Sequence, residues 1–144
     1  MYAALYTALG YKFINSCTPS HSKTDEFSKN SLNIRDKISE EGAIVPTIWS
    51  LEVGNVLLIS ERRKRITKEQ RQIALYTLNE LPIKTDELTF KNAWFETIEI
   101  AERYNLSLYD ACYLELSLRC NYHLATFDNN LKQAAKLAGV DLFY

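Results

Sequence analysis

The chain has 144 residues, enough for one domain of the commonest size with a core that needs no disulfide or metal staples. Hydrophobic residues make up 47% and charged residues 24%, a balance that excludes disorder and fibrous structure. The net charge of −1, with a pI near 6.1, excludes an overall basic field, so any nucleic-acid contact has to be local. Cys17, Cys112 and Cys120 are odd in number and lack C-x-x-C spacing, which argues against a disulfide framework or a zinc site and for a reducing, cytoplasmic setting. The apolar opening, residues 1–10, has no Lys or Arg before it and no clear cleavage pattern after it, so it is not read as a leader. No apolar run is long enough to span a bilayer.

Residues 1–24 contain no Asp or Glu, and all 18 acids fall within 25–144. Residues 15–24 read as a Ser/Thr-rich loop, and 11–14 are the one candidate strand before it. From residue 25 the pattern sharpens. Phe27, Leu32, Ile34 and Ile38 predict an amphipathic helix over 26–40, with Gly42 as a left-handed stop. Residues 43–45 predict a short strand closed by Pro46. A strongly apolar helix over 48–63, carrying Trp49, Leu51, Val53, Val56, Leu57 and Leu58, is expected to be central. Thr67 with Gln70 makes a capping box for a helix reaching about residue 81, and residues 82–85 predict an edge strand.

Phe90, Ala93, Trp94, Ile98 and Ala101 recur at helical spacing, predicting one helix over 90–104 with Asn105 as a left-handed end. Another helix starts at Ser107 and runs to about 119, with Ala111, Leu114 and Leu118 on one side. The apolar run 122–127 reads as a strand covered on both faces. A last helix over 131–137 stops at Gly139, and 140–143 predicts a final strand. Strands alternating with helices imply a single α/β domain over 1–144: a mostly parallel central sheet flanked by helices, its first strand poorly defined.

Three acids stand apart from ordinary surface carboxylates. Glu52 sits within an otherwise apolar helix, with Asn55 three residues on; Asp110 lies in the first turn of a helix; Asp128 follows directly after a buried strand. Ligands of open α/β sheets bind at the carboxyl ends of strands. Carboxylates gathered there repel one another and stay ionised when a cation sits among them. All-oxygen donors select Mg2+ or Mn2+ over zinc. Each acid also has a plain structural reading: Asp110 as the fourth member of a Ser-x-x-Asp cap, Asp128 as the cap of the last helix, Glu52 as a solvent-facing residue.

Three segments, Ile44-Val-Pro-Thr-Ile-Trp-Ser-Leu-Glu-Val-Gly-Asn55, Ala101-Glu-Arg-Tyr-Asn-Leu-Ser-Leu-Tyr-Asp-Ala-Cys-Tyr-Leu-Glu115 and Leu124-Ala-Thr-Phe-Asp128, together resemble the PIN-domain family, in particular its VapC-type toxins. The resemblance covers residues 25–144, and its most telling part is Tyr-Asp-Ala-x-Tyr-Leu. It implies a three-layer PIN-like fold and Mg2+- or Mn2+-dependent endonucleolytic cleavage of RNA of the tRNA or rRNA class. It also implies a VapB-like antitoxin as partner, and Glu52, Asp110 and Asp128 as catalytic and metal-binding residues, with Asp110 the main ligand.

The family's first catalytic Asp ends its first strand, and counting back from Asp25-Glu26 lands near Asn15, where no acid stands. At ~4 Å and an effective dielectric of ~20, one unit charge against a dication is a term of several kcal/mol, so the expected nuclease is weakened or inactive. The abrupt onset of family-like patterning at residue 25 is what a changed reading frame or a replaced N-terminus leaves. The rival reading is a non-catalytic scaffold that binds an antitoxin or dimerises through its apolar helices. The basic cluster of Arg62, Arg63, Lys64, Arg65, Lys68 and Arg71 is read as a solvated helix end ahead of a phosphate-binding patch. Thr126 is read as a hydroxyl bonded to backbone, His21 and His123 as structural or loop residues, and Tyr104, Tyr109 and Tyr113 as core and rim.

Overall fold

The computed structural model describes residues 2–4 and 25–143, with side chains from residue 33 onward. The elements in chain order are β1 (Tyr2–Ala4), α1 (Asp25–Glu41), β2 (Ala43–Pro46), α2 (Trp49–Arg62), α3 (Lys68–Asn79), β3 (Ile83–Asp86), α4 (Thr89–Asn92), α5 (Glu96–Tyr104), α6 (Leu108–Cys120), β4 (His123–Ala125) and α7 (Asn129–Leu137). The four strands form one parallel sheet in the order β3-β2-β1-β4. This is the α/β architecture read from the sequence. β1 lies ahead of the strand expected at residues 11–14, a segment outside the described residues, as are Asn15 and His21.

Local sequence accounts for most boundaries. Gly42 ends α1 in the left-handed region, with φ of 75° and its amide bonded to the Ile38 carbonyl at 2.8 Å. Thr67 and Gln70 form the expected capping box: the Thr67 hydroxyl accepts the Gln70 amide at 3.2 Å, and the Gln70 side chain accepts the Thr67 amide at 2.7 Å. Asn105 and Asn121, both at φ of 52°, turn the chain sharply out of α5 and α6. Among the described residues β3 pairs with β2 alone and is an edge, as read. The predicted final strand is reduced to a bridge between Leu124 and Leu142.

Burial departs from the sequence reading in two places. The helix over 48–63 was expected to be central, yet in α2 Trp49, Val53, Leu57 and Ser60 are buried while Leu51 is 75% exposed and Leu58 also faces outward. The central helix is α6, where every residue from Ala111 to Ser117 is buried and which packs against β1, β2 and β4. Of Ala111, Leu114 and Leu118, read on one side of this helix, the first two are buried and Leu118 is exposed. The single helix over 90–104 is in fact α4 and α5, separated by a turn. Phe90, Trp94 and Ile98 are exposed, and Thr89, Asn92 and Thr97 are buried instead. The core joins Ile34 and Ile38 of α1, Ala43 and Val45 of β2, Leu57 of α2, Leu114 of α6 and Leu131 of α7.

Two glycines give opposite expectations. A Cβ at Gly42 meets the Pro82 carbonyl oxygen at 3.0 Å on a left-handed backbone, so Gly42→Ala is expected to cost about 1–2 kcal/mol. Gly54 lies within α2 with nothing within 4 Å of an added Cβ, so Gly54→Ala is expected to stabilise by roughly 0.5–1 kcal/mol. Urea denaturation of the two variants measures both signs.

Candidate metal centre

Glu52 is carried by the first turn of α2, Asp110 by the first turn of α6, and Asp128 stands at the N-cap of α7, three residues after β4 ends. Each carboxylate is held through one oxygen by a neutral donor. The fully buried Tyr113 hydroxyl donates to Glu52 Oε2 at 2.6 Å, across 61 residues of chain. The Ser107 hydroxyl donates to Asp110 Oδ2 at 2.6 Å while accepting the Asp110 amide at 3.1 Å. The Leu131 amide donates to Asp128 Oδ1 at 2.8 Å. Asp128 therefore caps α7 as read, whereas α6 is capped by the Ser107 hydroxyl, and the Asp110 carboxylate bonds that hydroxyl in place of closing a capping box on the Ser107 amide. The Thr126 hydroxyl accepts the Asp128 amide at 3.1 Å, the backbone role expected of it.

The electrostatics join the three acids pairwise through Asp110. Burial pushes the Glu52 carboxyl up from its ordinary value, the Tyr113 bond partly offsets this, and the charge of Asp110 raises it further. Burial likewise raises Asp110, against the Ser107 bond and with the charge of Asp128. Among the described residues no Lys, Arg or His forms an ion pair with any of the three. Nor do any three His, Cys, Asp or Glu side chains there form a group tight enough to hold a metal ion by themselves. The donor set suits a hard cation taking one or two carboxylates and completing its shell with water, as Mg2+ does. No acid from residues 1–24 adds to it.

A second polar cluster adjoins the first. Arg119 donates to Asp86 Oδ2 at 2.9 Å and to Glu115 Oε1 at 2.8 Å, Asn92 donates to Glu115 Oε1 at 2.8 Å, and the Thr89 hydroxyl donates to Asp86 Oδ2 at 3.0 Å. Asp86 and Glu115 are buried, and their charges hold the Arg119 guanidinium more firmly protonated. Cys112 lies among both clusters: burial, then Glu115, Glu52, Asp110 and Asp86, push its thiol up to about 11, so it is protonated and not a nucleophile. The sequence reading missed this second cluster and the Tyr113 contact. The available signal was Glu115 flanked by leucines with Arg119 at i+4.

His123 lies 4.0 Å from Asp141 on the surface, and Tyr109 is exposed. In the basic cluster, Arg62 to Arg65 are exposed and Arg71 pairs with Glu61.

The two clusters should respond oppositely to loss of charge. Arg119→Met strands two buried carboxylates and is expected to destabilise by about 3 kcal/mol, the lower end for a broken buried pair because the guanidinium is 26% exposed. Asp110→Asn removes a repelled charge. A carboxyl whose folded pKa is raised binds protons more readily folded than unfolded, so its destabilising effect is absent below the ordinary carboxylate range and grows as pH rises through the folded value. Without divalent ions, Asp110→Asn is therefore expected to raise Tm by a few degrees at pH 7.5 and by less at pH 4, measured by calorimetry.

No curated protein matches the chain. The PIN domain family matches residues 21–137. PIN domains are generally nucleases, and with the match covering most of the chain on a parallel α/β sheet, this chain belongs to the PIN-domain family.

Proposed function

We propose that this chain is a cytoplasmic, Mg2+- or Mn2+-dependent endoribonuclease of the VapC toxin type, weakened by the absence of an acid from residues 1–24. One observation carries the reading: three carboxylates from three separate elements are coupled through Asp110, with no cation among the described residues to balance them. Such an arrangement costs folding stability and is retained when binding returns it. Asp110, the acid whose charge is coupled to both of the others, is the main ligand in this reading, and Glu52 and Asp128 hold the second position or order water. A divalent ion bound there lowers the pKa of an attacking water and offsets charge developing on the phosphoryl and leaving oxygens. The chain's own contribution would be to hold the carboxylates in place, through the Tyr113 hydroxyl on Glu52, the Ser107 hydroxyl on Asp110 and the Leu131 amide on Asp128. The substrate is RNA of the tRNA or rRNA class, and a VapB-like antitoxin is the expected partner.

A non-catalytic scaffold is the second reading, favoured by one observation. α2 and α3 pack on each other yet leave Leu51, Ile73 and Tyr76 exposed, apolar surface suited to an antitoxin segment or a second copy.

Titration with MnCl2 followed by calorimetry tests the enzyme reading. An ion present at 100 times its Kd stabilises the folded state by about 2.7 kcal/mol, so Tm is expected to rise with Mn2+ in the wild type and stay flat in Asp110→Asn. RNA cleavage is expected to be slow, blocked by EDTA and lost in Asp110→Ala. A wild type whose Tm ignores millimolar Mn2+ leaves the scaffold reading in its place.

A further inference from the structure

We propose that Tyr113 is a positioning residue that sets Glu52 against Asp110 for cation binding, an inference that rests on the metal-centre reading above. Tyr113 lies three residues after Asp110 on α6, so both belong to one face of one rigid helical turn. Its hydroxyl reaches across to α2 and donates to Glu52 Oε2 at 2.6 Å, and its ring is completely buried. One oxygen of Glu52 is thereby tied to the helix that carries Asp110, and the separation of the two carboxylates is set by α6 instead of by the looser relation between two helices.

The choice of donor matters chemically. A Lys or Arg at this place would hold Glu52 equally well but would neutralise it and compete with a divalent ion. A phenol O–H orients the carboxylate and supports its ionised form while leaving its charge intact. It also removes beforehand the rotamer freedom that a three-torsion Glu side chain would lose on ligation.

The test is a double-mutant cycle read by Mn2+ affinity, measured by electron paramagnetic resonance of free Mn2+ on the full chain. Partners that orient a metal ligand are typically worth 10–100-fold in affinity. Tyr113→Phe is expected to weaken Mn2+ binding at least tenfold in the wild-type background and to have no further effect in Glu52→Gln, where the group it orients no longer carries a charge. An unchanged Kd in Tyr113→Phe overturns the proposal while leaving the metal-centre reading intact. A loss of the same size in both backgrounds also overturns it, since packing and not Glu52 then carries the effect. Absence of Mn2+ binding in the wild type overturns the metal-centre reading itself.

Glu52→Asp gives an independent arm if Tyr113→Phe does not fold: it keeps the charge but withdraws the carboxylate from the hydroxyl by one methylene. It is expected to lose at least tenfold in affinity, and wild-type affinity in it overturns the proposal.

Discussion

A helix buried along seven consecutive residues has no solvent in which to leave a polar side chain, and α6 meets that constraint by giving each of Tyr113, Glu115 and Ser117 a bonding partner, in other elements or within the helix itself. Tyr113 reaches Glu52 on α2, Glu115 takes Asn92 of α4 and Arg119, and the Ser117 hydroxyl donates to the Tyr113 carbonyl at 2.9 Å within the helix. Arg119, at the far end, continues the network to Asp86 on the edge strand β3. Each bond is the least costly fate for a buried polar group, and together they tie α2, α4 and β3 to the helix whose first turn presents Asp110.

The two carboxylate clusters on this helix show how placement separates structure from chemistry. Asp86 and Glu115 share Arg119 and the neutral donors Thr89 and Asn92, an arrangement whose charges are largely answered within the protein. Glu52, Asp110 and Asp128 each have a neutral donor and, among the described residues, no cation. Only a few residues separate the clusters along α6, yet one stabilises the fold and the other burdens it. Asp128, one member of the burdening cluster, follows the carboxyl end of β4, the position where α/β proteins bind ligands.

Secondary structure was legible wherever a local rule decided it. The Thr67 capping box, the left-handed stops at Gly42, Asn105 and Gly139 and the Ser107 cap depend on backbone bonds within a few residues, which sequence specifies directly. Burial was less legible. Apolar content suggested α2 as the central helix, but a helix on the outside of a small domain keeps Leu51 and Leu58 on its outer face, and hydrophobicity alone does not say which face meets the core. The apolar stripe through Phe90, Trp94 and Ile98 failed for a related reason. The break between α4 and α5 interrupts the stripe, and the inward side carries Asn92, which donates to Glu115, and the buried Thr97.

By itself, the sequence determined the alternation of short strands and capped helices, hence the parallel α/β class, and it marked Glu52, Asp110 and Asp128 as acids in unusual settings. It also determined that residues 1–24 contribute no carboxylate. The tertiary structure alone decided that Asp110 is electrostatically coupled to the other two, that the Tyr113 hydroxyl donates to Glu52, and that Asp86 and Glu115 both bond to Arg119. The physical reason is range: caps and turns are settled over three or four residues, whereas a hydrogen bond across 61 residues exists only once the chain has chosen which helix to bury.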